Sequence, residues 1–414
     1  MSLAATAALL ISLAALFSYL NHRFIRLPGT IGLMLIALTM SVAILALGKL
    51  GVHFDEFAQA VVGSIDFDRT LMGGMLGFLL FAGALHIDIA ELAEQKWPVA
   101  FLAIASVMIS TALVGAGLYY ALGVLGQPIP FVWCLVFGAL ISPTDPIAVL
   151  SIIRSVGAPK PLEMKIAGES LFNDGVGVVV FLELVGIATG QTVLDTAEIV
   201  SFFAREALGG AAFGFALGYV VFRMLRSVDN YEVEVLLTVA LVMGGYTAAT
   251  AIGVSGPIAI VVAGLLIGNH GRRFAMSEKT REHLDDFWEL IDSILNAVLF
   301  VLIGLEMLLL HFGRATLAPA LLAISVVLLA RLLSVALPAL LPYLRRWFDR
   351  KAVAVLTWGG LRGGISVALA LSLPETPYRQ TIIRLTYAVV LFSIVVQGLT
   401  VSRLIKVFMP IRTE

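Results

Sequence analysis

The chain has 414 residues, 60% of them hydrophobic and only 13% charged, with 27 Lys and Arg against 28 Asp and Glu. Soluble domains carry about 25% charged residues, so this composition excludes an ordinary water-soluble enzyme. A formal net charge of -1 offers nucleic acid no basic surface, and one cysteine, Cys134, excludes a disulfide scaffold or a cysteine-rich metal site.

At about 20 apolar residues per crossing, roughly a dozen transmembrane helices fit the length. Met1 to Leu20 is uncharged, lacks the basic start of a secretory signal, and is expected to be the first span. Leu27 to Gly48 and Thr70 to Ile87 supply spans two and three, the latter interrupted only by His86 among the interior residues that could ionise near neutral pH. The uncharged run from Trp97 to Thr144 is too long for one helix, and Gly126-Gln127-Pro128-Ile129-Pro130 divides it into spans four and five. Leu162 to Ala188 and Ser201 to Phe222 read as spans six and seven, separated by a polar connection holding Asp195 and Glu198. Val235 to Gly271 divides at Gly253-Val254-Ser255-Gly256-Pro257 into spans eight and nine. An amphipathic charged segment, Arg272 to Asp286, precedes span ten at Leu290 to Leu310. Leu317 to Leu341, Ala352 to Leu373 and Leu385 to Ser402 bring the expected count to thirteen. No intervening segment is long enough for a soluble domain, so residues 1–414 read as one all-α polytopic membrane domain.

Thirteen spans put the two ends on opposite sides. Nineteen of the 27 basic residues then fall on the odd-numbered connections and the C-terminal tail, among them Arg23, Arg154, Arg272 and Arg345, and five fall on the other side, including Arg69 and Arg379. Basic residues are retained on the cytoplasmic side, which predicts a periplasmic N-terminus and a cytoplasmic C-terminus.

Span five contains Ser142-Pro143-Thr144-Asp145-Pro146. Two prolines remove two backbone donors and push the residues before them out of the helix, so a break near mid-membrane is expected. Such irregular backbone survives in a bilayer only inside protein or beside a wet cavity, and a carboxylate placed there is a functional candidate. Span twelve contains Gly359-Gly360-Leu361-Arg362-Gly363-Gly364, whose four glycines around an arginine predict a second break. The two breaks lie seven spans apart. With span seven, 201–222, as a linker, the chain divides into repeats 1–188 and 232–408 of opposite orientation, crossing at their discontinuous helices, the plan of secondary transporters.

On span six, Glu169, Ser170, Asn173 and Asp174 share one helix face, and Glu183 extends it. Oxygen ligands without Cys or His suit hard cations. Asp145 and Asp174 with Thr144 and Ser170 form a mixed set of charged and neutral ligands, and a partly buried carboxylate that holds a proton or a cation in turn is the simplest exchanger. Arg331 in span eleven is expected to pair with Glu169, since removing either would leave a buried charge alone. Arg362 sits where half-helix ends meet and is expected either to offset their negative dipole or to repel cations from a wrong position. Glu183 stands between a structural pair and a proton relay. Glu306 reads as a helix-interface group, His86 as an interfacial residue, and Arg205 and Glu206 as snorkelling groups.

In their order and on these spans, Ser142-Pro143-Thr144-Asp145-Pro146, Gly168-Glu169-Ser170 with Asn173-Asp174, Arg331, and Gly360-Leu361-Arg362-Gly363-Gly364 resemble the sodium/proton exchanger family, in its NhaP and NHE branch. The resemblance covers nearly the whole chain. It implies exchange of Na⁺ or Li⁺, with K⁺ as a further candidate, for H⁺ across a bacterial inner membrane, without a cofactor. It also implies that Asp174 is the central ion and proton carboxylate, with Asp145, Thr144 and Ser170 at or beside the ion. Glu169 and Arg331 would form a buried pair near Asn173, and Asn173, counted with the ion- and proton-binding residues, would mark the electroneutral branch. A homodimer is implied, with a core domain moving like an elevator against a dimerisation domain. One departure stands out: many relatives carry an acidic residue in a Phe-Glu-Gly sequence where this chain has Phe81-Ala82-Gly83. From the residues alone, a second reading is an intramembrane aspartyl protease using Asp145 and Asp174, although Asn-Asp-Gly replaces the expected Gly-x-Gly-Asp. A channel is the third, without a visible carbonyl filter or charged ring.

Overall fold

The computed structural model describes residues 3–50, 54–63, 71–145, 149–150, 153, 157, 159–191, 196–310, 313–340 and 345–408. Pro146, Arg69, Arg154, Asp195 and Arg412 lie outside the described residues. The regular structure is helical, with no strand among the described residues. The principal helices are α1 (Leu3–Leu20), α2 (Gly29–Lys49), α3 (Leu76–Leu85), α4 (Ser106–Val124), α5 (Phe131–Ile141), α6 (Lys160–Ala188), α7 (Thr196–Leu225) and α8 (Tyr231–Ala251). They continue with α9 (Gly256–Leu266), α10 (Glu278–Glu306), α11 (Arg314–Ala336), α12 (Arg350–Trp358), α13 (Gly364–Leu371), α14 (Arg379–Phe392) and α15 (Gly398–Phe408).

Local chemistry sets the helix starts. Asn230 caps α8 by accepting from the amide of Glu232 at 3.0 Å, and Asp349 caps α12 by accepting from Ala352 N at 2.7 Å. Proline occupies the first turn of α6 and of α9, where a missing N–H costs nothing. Among the described residues, nine helical stretches are long and apolar enough to cross a membrane. They coincide with expected spans one, two, four, six, seven, eight, ten, eleven and thirteen. The positions expected for spans three, five, nine and twelve hold shorter or interrupted helices, namely α3, α5, α9 and the pair α12 and α13. Large apolar side chains such as Leu208 and Phe215 on α7, Leu236 on α8 and Leu321 on α11 stand exposed, as suits a surface facing hydrocarbon.

One boundary differs from expectation. The segment ending at Asp286 is not a separate amphipathic stretch, because α10 runs unbroken from Glu278, capped by Ser277, to Glu306. Its first turns are held by burial: Leu284 and Trp288 are inaccessible, Trp288 stacks on Phe81 with centroids 4.6 Å apart, and its indole N–H donates to Thr238 on α8 at 3.0 Å. Tertiary packing therefore extends a helix whose charged beginning reads as a surface segment.

The helices pack in two groups that do not follow the chain halves. In one, α4 lies against α5 and α11, α5 against α6, and α11 against α12 and α14. In the other, α10 lies against α1, α2, α3 and α8, while α9 packs on α3, α7 and α8. The groups meet along α6 and α13, and a cavity opens at that junction.

Candidate functional site

The first break follows α5. Pro143 cannot continue the hydrogen-bond ladder, and Ser142 through Asp145 leave the helix. Ser142 Oγ donates back to the Gly138 carbonyl at 2.7 Å and lies 2.9 Å from Ser110 Oγ on α4. The second break runs from Gly359 to Gly363, between α12 and α13. The two touch directly: the amide of Asp145 donates to the Leu361 carbonyl at 2.8 Å. Arg362 donates to the carbonyls of Ser142 and, at 2.8 Å, Pro143, while its own amide donates to Ser393 Oγ at 2.9 Å. These carbonyls are the unpaired acceptors at the C-terminus of a buried half-helix, where a cation is most stabilising. Glycine is required at 363, because a Cβ there would stand 2.2 Å from Asp145 Oδ2.

On α6 the polar face divides into two functions. Glu169 forms a two-pronged pair with Arg331, one prong at 2.9 Å, and both residues are buried. Arg331 also donates from Nε (3.2 Å) and Nη2 (3.0 Å) to the Leu356 carbonyl, so it caps the C-terminal end of α12 as Arg362 caps that of α5. Gly360 makes room for it, since a Cβ there would lie 2.7 Å from Arg331 Nε. Asn173 Nδ2 donates to Thr144 Oγ1 at 2.9 Å, and Thr144 Oγ1 lies 3.2 Å from Ser170 Oγ. This chain of contacts ties α6 to the first break.

Ser170 and Asp174, from the same face, line a cavity of about 450 Å³ together with Thr144 and Asp145. Glu169 and Asn173 do not line it. The structure thus brings Asp145, Thr144, Ser170 and Asp174 to one space, and sets Asn173 one layer behind as the partner of Thr144. Asp174, Thr144 and Ser170 are buried at its floor, while Gly83, His86, Glu289 and Ser293 are exposed toward its mouth. Ala82 lies in the wall, and His86 Nδ1 is 2.8 Å from the Ala82 carbonyl.

Two acidic residues of the lining, Glu289 and Asp292 on α10, escaped the sequence reading. The signal was present. Asp292 falls inside expected span ten, and an intramembrane carboxylate calls for an explanation wherever it occurs. The remaining candidates stand apart from the cavity. Cys134 is buried in the core, Glu183 is buried on the distal half of α6, and Glu306 is buried at the end of α10. Arg205 stacks over Phe202 at 5.6 Å.

An all-helical membrane protein with oxygen-rich residues where two interrupted helices touch fits the architecture of a secondary transporter. The family model described as "Sodium/hydrogen exchanger, transmembrane" matches residues 10–407, and the chain belongs to that family. It is 52% identical over 402 residues to the Na⁺/H⁺ antiporter NhaP of Pseudomonas aeruginosa, covering 96% of this chain and 95% of that one. It is 34% identical over 391 residues to the Na⁺/H⁺ antiporter NhaH of Halobacillus aidingensis, covering 93% of each. The fold matches that of the sodium proton antiporter MjNhaP1 from Methanocaldococcus jannaschii at pH 8, with a TM-score of 0.75 and 20% identity over 97% of both chains. The protein is a transporter and not an enzyme, and the aspartyl protease reading is left without support.

Proposed function

We propose that this protein exchanges a monovalent cation, Na⁺ or Li⁺ with K⁺ as the third candidate, for H⁺ across a bacterial inner membrane. The observation that carries the reading is the convergence of Asp145, Asp174, Thr144 and Ser170 on one cavity where two broken helices cross. Two carboxylates and two hydroxyls provide oxygen ligands for a hard cation. Asp174 at the cavity floor holds either the cation or a proton, so loading one displaces the other. No cofactor takes part. Asn173 contributes an amide that is already bonded to Thr144, adding no ionisable group, which supports one proton per cation and electroneutral exchange.

The same reading arranges the chain as thirteen crossings in two inverted repeats, 1–188 and 232–408, joined by the helix containing 201–222. Its support is the meeting of the two breaks and the arginine on each half-helix end. The N-terminus is periplasmic and the C-terminus cytoplasmic, so the mouth beside His86 and Glu289 faces the cytoplasm. Two copies form a homodimer, and the group containing α5, α6, α12 and α13 slides against the group containing α3 and α10 to expose the cavity alternately.

The test is a pH gradient imposed across proteoliposomes, followed by addition of Na⁺, Li⁺ or K⁺. Dissipation by at least one cation, unaffected by an imposed membrane potential, is the expected result. No response to any of the three overturns the exchanger reading, and strong voltage dependence overturns electroneutrality. Asp174→Asn should abolish the response, and competition predicts an apparent KM for the cation that rises as the pH is lowered.

A further inference from the structure

The wall of the cavity opposite Asp145 and Asp174 is formed by α10, which belongs to the other packing group. Glu289, Asp292 and Ser293 line the cavity from positions i, i+3 and i+4 of one helix face. Asn296 follows one turn beyond Asp292 on that face. It is 3% exposed; its amide nitrogen lies toward the Asp292 carboxylate, and its amide oxygen has no hydrogen-bond partner among the described residues. A buried amide oxygen that the protein leaves unbonded calls for a water or an ion. Glu289 is exposed and Asp292 half-buried, so the stripe descends from the mouth inward.

Charge points the same way. Among the described residues, the lining holds four carboxylates, Asp145, Asp174, Glu289 and Asp292, and no lysine or arginine. No ion pair among the described residues involves Asp292 or Glu289. A concave space lined by one sign of charge concentrates the opposite ion. Among the described residues, no three Asp, Glu, His or Cys side chains converge closely enough to hold one metal ion. Asp292 is thus not one of three such side chains closing on a single ion, though it stays near enough to Asp145 to feel its charge.

We propose that Asp292, with the amide of Asn296, is a second cation station on the α10 wall, receiving a monovalent cation from the mouth and passing it across the cavity to Asp145 and Asp174. The inference rests on the exchanger reading and deepens it. The station sits on the helix group opposite the site, so its distance to Asp174 changes whenever the groups move, and the hand-over is available only while the mouth is open. Glu289, nearer the mouth, concentrates cations without holding one.

The experiment compares exchange kinetics in proteoliposomes for the wild-type protein, Asp292→Asn and Asp292→Glu. Asp292→Asn should raise the KM for the transported cation about tenfold, with a much smaller fall in Vmax, and Asp292→Glu should restore most of the affinity. A KM equal to that of the wild type, or a loss of Vmax alone, overturns the station. Should Asp292→Asn fail to reach the membrane, Asn296→Ala reads the same site: a KM raised about threefold supports it and an unchanged KM overturns it. A second readout separates this idea from the exchanger reading. Cation-dependent thermal stabilisation in detergent should persist in part in Asp174→Asn and disappear in Asp174→Asn/Asp292→Asn. Exchange by the wild type with equal residual stabilisation in the single and double variants sinks the station alone. Absence of exchange by the wild type sinks the exchanger reading, and the stabilisation comparison still decides whether Asp292 binds a cation.

Discussion

The two broken helices are built from opposite chemistry. The first, Ser142 to Asp145, is made by a proline and carries a hydroxyl and a carboxylate into the cavity. The second, Gly359 to Gly363, is made by glycines, and its charged side chain turns back to cap the first. Each buried half-helix end has an arginine on its carbonyls, Arg362 on Ser142 and Pro143, Arg331 on Leu356. The comparison teaches that one break supplies oxygen atoms to the cavity while the other supplies shape and positive charge. Broken helices buried inside a membrane protein need both, because their carbonyl ends would otherwise be left without donors.

The arginines provide the sharpest way to break this division of labour. Arg331→Gln strands a buried Glu169 as well as the Leu356 carbonyl, and should cost about 3–5 kcal/mol of stability. Glu169→Gln combined with Arg331→Gln should recover part of that loss, because the stranded charge is gone. Arg362→Gln leaves no unpaired carboxylate, and its amide can still meet one of the two carbonyls, so it should cost about 1–3 kcal/mol in all. Thermal unfolding of the purified variants in detergent measures the order; if Arg362→Gln is the more harmful of the two arginine changes, the roles assigned to them are reversed.

A smaller effect on stability with a large effect on transport is expected for Gly363→Ala. The new Cβ would collide with Asp145 Oδ2, at 2.2 Å, and must push the carboxylate away from the second break. Exchange should fall roughly tenfold through a raised cation KM, since a misplaced ligand weakens binding before it weakens the fold. Wild-type kinetics in this variant would show that Asp145 need not lie against the second break.

The smallest predicted effect concerns Ala82, which lies in the cavity wall. Ala82→Glu adds a carboxylate to the same negatively charged space and should lower the cation KM about threefold. An unchanged or raised KM would mean that the α3 wall is too far from the ion path to matter, which confines the ligand role to the first break and α6.

Much of this arrangement was legible in the residues. Pro143 and the glycines around Arg362 announce the two breaks by backbone chemistry alone, and the period of an α-helix puts Glu169, Ser170, Asn173 and Asp174 on one face. Pairing of Glu169 with Arg331 follows from the cost of two isolated buried charges. Three things were not legible. The split of the α6 face, with Ser170 and Asp174 toward the cavity and Glu169 and Asn173 toward Arg331 and Thr144, depends on which helices flank α6. The second role of Arg331 depends on where α12 ends in space. Asp292 and Glu289 were passed over because they follow directly on a charged run, Glu278 to Asp286, that reads as a surface segment, whereas burial of Leu284 and Trp288 carries the packed helix about three turns back from Leu290.

By itself, the sequence determined that the chain is a polytopic helical membrane protein, where its helices break and which carboxylates are kept among apolar residues, because each of these follows from local backbone chemistry or from the cost of charge in hydrocarbon. Tertiary structure alone decided that the breaks touch, that arginines cap both half-helix ends, and that α10 presents Asp292 across the cavity from Asp174. Those facts depend on contacts between residues far apart in the chain, 220 positions for Arg362 and Ser142 and 25 even for Arg331 and Leu356, and no local rule of period, propensity or hydropathy carries information over such separations.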